Sequence, residues 1–175
     1  DSGYCQMTGT EDSFLEWYEL SANASDPTVY EQICNMVDID EYVNYMAVEF
    51  YLGATDWPQN NVKGFKPRYE GGKFRFVLFD LDGTFGTTNP FNVFAGKQTY
   101  TFDYIYDTNS RFTEEIEFVT IFLNMLKNET FRKKFIDTYC LVAGSVFTPE
   151  RCSEIISAMA ERTYSTLQQE GQNPY

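Results

Sequence analysis

Two clusters of carboxylates and amides, 24 positions apart from Asp56 to Asp80, carry the chemistry open to this chain. The first is Asp56-Trp57-Pro58-Gln59-Asn60-Asn61, and the second is Phe79-Asp80-Leu81-Asp82-Gly83-Thr84. Each follows a hydrophobic stretch, and a hairpin-like segment joins them. Such groups suit phosphoryl transfer from a metal-bound nucleotide. That reaction needs one carboxylate to take a hydroxyl proton, and hard oxygen donors for the metal. The sequence contains no histidine, which removes a Ser-His-Asp triad, a Cys-His dyad and a His-rich zinc site. A general base must therefore be Asp, Glu, Lys or Tyr.

The elements that must position these clusters are legible as periodic runs. Asp12 or Ser13 is placed to cap a helix over Phe14–Leu20. Asp26-Pro27 opens a second helix, with Val29, Tyr30, Ile33 and Met36 on one face. Asp38 or Asp40 caps a third, in which Tyr42, Val43, Met46, Ala47, Phe50 and Tyr51 recur at steps of three and four, and Gly53 ends it. Asp56 then follows the end of a buried helix. A β-hairpin is expected next: one strand within 61–69, a turn at Glu70-Gly71-Gly72, and a second strand from Lys73. Phe74–Phe79 reads as entering the core and delivering Asp80 at its end. Residues 83–111 look irregular, a length that suits a functional segment or lid. Thr113 caps a helix over 114–127, another covers 129–143, and Thr148-Pro149-Glu150 opens a last one to about Gln168. Predicted overall is a single domain over 1–175, mainly α with a small β-hairpin.

Composition narrows the partners. A net charge of −13 disfavours nucleic acid and anionic membrane, and favours divalent cations and basic protein segments. No apolar run is long enough to span a bilayer. Cys5, Cys34, Cys140 and Cys152 form no CxxC, which argues against a zinc ribbon or thioredoxin-type site. Disulfides and free thiols both remain open, with Cys140 and Cys152 the more natural pair across an interhelical turn. The chain opens on Asp1 without a signal peptide and reads as a piece of a longer protein. The 13 Tyr and 16 Phe fit a packed, extracellular domain that also offers stacking surfaces. Asn23-Ala24-Ser25 and Asn128-Glu129-Thr130 match glycosylation acceptors, which matter only in a eukaryotic secretory host.

Two families share parts of this pattern. Val77-Leu78-Phe79-Asp80-Leu81-Asp82-Gly83-Thr84 resembles the first motif of the haloacid-dehalogenase phosphatases. That fold would require the motif on its first strand and βα units downstream, whereas mostly helix precedes it here and helices follow. Asp103 and Asp107 do not supply that family's later acidic pair. A fuller resemblance is to the spore coat protein H (CotH) kinases, atypical relatives of the protein-kinase fold. It rests on an order of features from about residue 12 to the end. Ile39-Asp40-Glu41-Tyr42-Val43-Asn44-Tyr45 leads to an Asp-Trp…Asn-Asn loop. A hairpin with a basic strand, Lys63 to Arg68, follows, and then a hydrophobic strand ending in Asp80-Leu81-Asp82-Gly83. The tail, Leu126-Lys127-Asn128-Glu129-Thr130-Phe131-Arg132-Lys133-Lys134-Phe135 and a closing helix, is similar too. Four residues separate Asp56 from Asn61, as in the protein-kinase catalytic loop.

The resemblance implies a C-terminal kinase lobe that uses ATP with Mg²⁺ (or Mn²⁺). Asp56 would be the catalytic base, Asn61 and Asp80 nucleotide-site metal ligands, and Asp82 a further metal carboxylate. It implies a protein substrate phosphorylated on Ser or Thr, and a parent protein outside the cell or in its envelope, of bacterial type. Trp57 reads as a core or rim residue, with stacking on substrate as the alternative. Lys63 and Lys66 read either as solvated or as phosphate contacts. Before Asp56 there is no Lys, no Arg and no glycine-rich loop, so the nucleotide-clamping N-terminal lobe is expected elsewhere in the parent, and this chain alone to be inactive or nearly so. The competing class is a non-catalytic surface or adhesion domain, with the aromatic-rich segment 91–106 as its binding face.

Overall fold

The computed structural model describes residues 9–54, 57–58, 60–84, 116–169 and 171. Asp56, Cys5, Asp103, Asp107, Thr113, the aromatic segment 91–106 and all of the irregular stretch except Gly83 and Thr84 lie outside those residues. The observed architecture is mainly α with a small antiparallel sheet. In chain order it comprises α1 (Asp12–Ser21), α2 (Pro27–Met36), α3 (Ile39–Leu52), β1 (Gly64–Phe65), β2 (Arg75–Phe76), α4 (Glu117–Met125), α5 (Glu129–Leu141), a π-helical turn (Val142–Val146) and α6 (Pro149–Gln169). Contacts divide the chain into two units, Asp1–Tyr139 and Cys140–Tyr175.

In the first unit α3 is central. Asp38 caps it through the Glu41 N–H, and Gly53 closes it in the left-handed region at φ 63°, where a glycine carries no Cβ penalty. Tyr42, Val43, Met46, Ala47 and Phe50 are buried as the periodicity requires, and Tyr51 is half-buried. α2 begins as its sequence dictates: Asp26 accepts hydrogen bonds from the Thr28 and Val29 N–H groups at 2.7 and 3.4 Å, with Pro27 opening the first turn. α1 differs from expectation. It starts at Asp12 with Glu11 at the N-cap and no side-chain capping bond. Ser13 Oγ instead accepts from Lys66 Nζ at 3.2 Å, a long-range contact that local pattern does not reveal.

The core is an aromatic lattice. Trp17 meets Tyr42 edge-on at 5.0 Å, Tyr45 stacks on Phe76 at 5.2 Å, and Phe76 lies 5.3 Å from Phe118. Phe122 contacts Phe50 at 5.3 Å and Phe135 at 5.1 Å. Edge and tilted arrangements align the positive ring edge with the negative face of a neighbour. Asn128 caps α5 from inside this core. Its Oδ1 accepts from the Phe131 N–H at 3.0 Å, and its Nδ2 donates to the Ala24 carbonyl at 2.8 Å. Buried and doubly bonded, Asn128 is a structural residue rather than a glycan acceptor, whereas Asn23 is exposed.

The hairpin is smaller than its sequence suggests. Gly64 pairs with Phe76 and Phe65 with Arg75, and the Val77 N–H reaches the Lys63 carbonyl at 2.9 Å. Gly72 is required at the turn, because a Cβ there would lie 2.3 Å from the Pro67 carbonyl oxygen. The expected core strand Phe74–Phe79 is corrected: Phe76 is buried, but Val77 and Leu78 are 42% and 41% exposed. The reason is that β2 has only a two-residue partner, and the backbone leaves extended geometry at Asp80.

What anchors β2 is α3. Phe74 forms a parallel bridge with Val37: its N–H donates to the Met36 carbonyl at 2.8 Å, and its carbonyl accepts from the Asp38 N–H at 3.0 Å. Both Glu41 carboxylate oxygens lie 3.0 Å from the Phe76 N–H, and Arg75 pairs with Asp38 at 3.0 Å.

In the second unit the Thr148 hydroxyl accepts from the Arg151 N–H at 3.3 Å to open α6. Cys140 and Cys152, the expected pair, are both free thiols, as is Cys34. The π-helical turn continues the path of α5 between them, so the connection is not the tight turn that would bring two half-cystines together. Among the described residues no helix is long and apolar enough to cross a membrane.

Burial raises the Glu41 carboxyl above its usual 4.5, outweighing the hydrogen bond from the Phe76 N–H. A carboxyl raised on folding favours the folded state below its unfolded value, and that advantage is lost as pH rises through the folded value. Glu41→Gln stays neutral throughout. Chemical denaturation across this range is expected to show the difference in stability moving in favour of Glu41→Gln as pH climbs above 4.5, and then levelling. A difference that does not change with pH contradicts this reading of Glu41.

Candidate functional site

The two clusters flank the hairpin, and the hairpin fixes their relation. Counting outward from the Val77–Lys63 hydrogen bond, Asn61 lies two residues before Lys63 and Asp80 three residues after Val77, both in the chain that flanks the open end of the ladder. At that end the backbone does the same unusual thing twice. Asn61 has φ 57° and Asp80 has φ 56°, and they are the only non-glycine residues with positive φ among those described. Asn and Asp tolerate this left-handed conformation better than other side chains, yet it still costs energy. Strain of this sort clusters at functional sites, where the surrounding structure holds it in place. Asp80 is exposed and Asn61 half-buried, so both are within reach of a ligand.

Asp82 occupies a tight turn just beyond. The Thr84 hydroxyl, itself buried, donates to the Leu81 carbonyl at 2.7 Å and closes that turn around the exposed Asp82. The donor set is thus one amide oxygen and two carboxylates, all hard oxygens of the type Mg²⁺ or Mn²⁺ accepts. Among the described residues no three His, Cys, Asp or Glu side chains come together as a preformed metal cage. A magnesium site completed by nucleotide phosphates and water needs no such cage, since one or two protein carboxylates suffice.

The first cluster is anchored at Trp57. It is only 5% exposed, its Nε1–H donates to the Tyr45 hydroxyl at 2.9 Å, and its ring meets Phe50 edge-on at 5.6 Å. Trp57 is therefore a core residue and not a stacking platform for substrate. The Trp57-Pro58 peptide is cis. Burial, together with the neighbouring Glu49 carboxylate, pushes the Tyr45 hydroxyl above its usual range, so Tyr45 serves as a neutral hydrogen-bonding group. Sequence reasoning missed Tyr45, and its position one turn before Glu49 on the buried face of α3 was the available signal. It also missed Glu41 and Asp38 as anchors of β2.

The basic candidates separate. Lys66 is committed to Ser13 and lies 5.9 Å from the Phe74 ring centroid, a structural role. Lys63 is exposed, and its Nζ sits 4.0 Å over the Phe79 ring, beside Asp80 in the chain.

Left-handed geometry separates strain from ligation in a testable way. Asp80→Gly relieves the backbone, whereas Asp80→Ala keeps the Cβ and with it a left-handed strain of about 1 kcal/mol. Both remove the carboxylate. Thermal unfolding is expected to show Asp80→Gly melting above Asp80→Ala, with both deficient in metal–nucleotide binding. Equal melting temperatures would refute a strained Asp80.

Downstream of Asp82 the described elements are helices, α4, α5 and α6, and not the βα units a haloacid-dehalogenase phosphatase would need. Searches of curated proteins and of solved structures returned no match. The family model described as CotH kinase protein matches residues 7–174. That span takes in both clusters, the hairpin between them and the helical tail, and the chain belongs to the CotH kinase family.

Proposed function

We propose that this chain is the base- and metal-bearing part of an ATP-dependent protein kinase acting on Ser or Thr of surface or coat proteins, its parent residing outside the cell or in the envelope. The observation that carries the reading is the shared left-handed backbone of Asn61 and Asp80 at one end of the hairpin. These two residues answer to the metal ligands of a kinase site, and membership of the CotH kinase family supports the same assignment.

In this reading the Asp56 carboxylate accepts the proton of the substrate hydroxyl as its oxygen attacks the γ-phosphorus of ATP, while the bond from that phosphorus to the β,γ-bridging oxygen breaks and ADP leaves. The Asn61 amide oxygen and the Asp80 carboxylate would hold Mg²⁺ (or Mn²⁺), with Asp82 as an additional carboxylate, and the metal would supply charge neutralisation on the phosphates. Positioning and neutralisation are most of what phosphoryl transfer asks of a protein. The anchoring of β2 on α3 keeps Asp80 in place, and the burial of Trp57 fixes the chain next to Asp56. A kinase also needs a lysine for the α- and β-phosphates and a glutamate to orient it. No Lys or Arg precedes Asp56 in this sequence, so we assign that pair to a further lobe of the parent and expect the isolated chain to bind nucleotide weakly.

The test is transfer of labelled phosphate from Mg-ATP to protein by the full-length parent. Asp56→Ala is expected to lower turnover by about 10³-fold, the scale of a lost general base, while sparing nucleotide binding. Asp80→Ala is expected to lose both. Normal phosphorylation by Asp56→Ala overturns the mechanism, and no transfer by the wild type favours a non-catalytic surface domain.

A further inference from the structure

Lys63 is the first cation of the chain, with no Lys or Arg before it in an otherwise acidic sequence. Three of the four other cations along the hairpin are tied down, and the fourth, the exposed Arg68, lies beside the turn, at the other end of the hairpin from Asn61 and Asp80. Lys66 donates to Ser13, Lys73 donates to the Cys34 carbonyl at 2.6 Å, and Arg75 pairs with Asp38. Among the described residues Lys63 makes no hydrogen bond or ion pair through its ammonium. That group rests 4.0 Å from the centroid of Phe79. Its backbone is fixed, because its carbonyl accepts the Val77 N–H.

This combination has a chemical consequence. A ring face holds an ammonium by its quadrupole without supplying a lone-pair acceptor, and leaves the N–H donors that point away from the ring open to one. Asn61 lies two residues before Lys63, and Asp80 directly follows Phe79. The carboxylates of Asp80 and Asp82 attract a divalent cation but repel the phosphates it carries. A lysine at the edge of the site offsets that repulsion as a compact point charge. We propose that Lys63 binds the phosphate chain of the nucleotide at the open end of the hairpin. The inference rests on the phosphotransfer reading of Asn61 and Asp80.

Calorimetric titration of the full-length protein with magnesium tripolyphosphate, Mg-ATP and adenosine tests it. Lys63→Ala is expected to weaken tripolyphosphate and ATP about tenfold, the scale of one charge-assisted contact, and to flatten their salt dependence. Lys63→Arg should restore most of the affinity. Adenosine binding and the melting temperature should not change, since Lys63 is exposed. Equal tripolyphosphate affinity in wild type and Lys63→Ala overturns the proposal, as does failure of the wild type to bind tripolyphosphate. Lys63-dependent tripolyphosphate binding without ATP binding upholds Lys63 and refutes the kinase reading. ATP binding indifferent to Lys63 does the reverse.

Discussion

The structure of the first unit depends on one junction, where residues 74–76 dock against the start of α3. Two backbone hydrogen bonds join Phe74 to Met36 and Asp38, the Glu41 carboxylate accepts the Phe76 N–H, and Asp38 pairs with Arg75. A two-residue ladder has little stability by itself. Seated on α3, it gains a third backbone partner and buries Phe76 among Tyr42, Tyr45 and Phe118. Full burial of a Phe contributes about 1.5–3 kcal/mol, so this one side chain matters more than the ladder's own bonds. The consequence reaches the candidate site, because Asp80 lies four residues beyond Phe76 on the same strand path.

A second constraint fixes the other half of the site. Trp57 is packed against α3 and α4 and bonded to the Tyr45 hydroxyl. Helix α3 therefore holds Trp57 through its later turns and, through its first turn and N-cap, the strand β2 that leads toward Asp80. This explains why α3 is the most thoroughly buried helix, with even Glu49 only 1% exposed. It also explains how a strongly acidic chain tolerates further carboxylates at the open end of the hairpin. The core that positions them is aromatic and nearly uncharged.

Helices were the most legible part of the sequence, because 3.6-residue periodicity and the caps Asp26, Asp38 and Gly53 are local signals. The candidate residues were likewise chosen on local signals, their type and spacing. Long-range chemistry was not legible. Nothing near Phe74 announces a parallel bridge to Val37, and nothing near Ser13 announces Lys66. The run Phe74–Phe79 misled because its hydrophobicity suggests a buried strand, while its partner supplies only two paired residues and Asp80 turns the backbone. Asn128 matched a glycosylation pattern by spelling, yet its amide is consumed in capping α5. Cys140 and Cys152 looked paired because sequence distance ignores the π-helical turn between them.

The central claim is that the open end of the hairpin, between Asn61 and Asp80, receives the metal–nucleotide. Paramagnetic broadening of backbone amide signals by Mn-ATP reads this directly. The account predicts that signals of residues 61–63 and 79–82 broaden first, and that Asp80→Ala abolishes the effect. Broadening centred elsewhere, such as on the acidic and basic face of α5 at Lys133, Lys134 and Asp137, would contradict it.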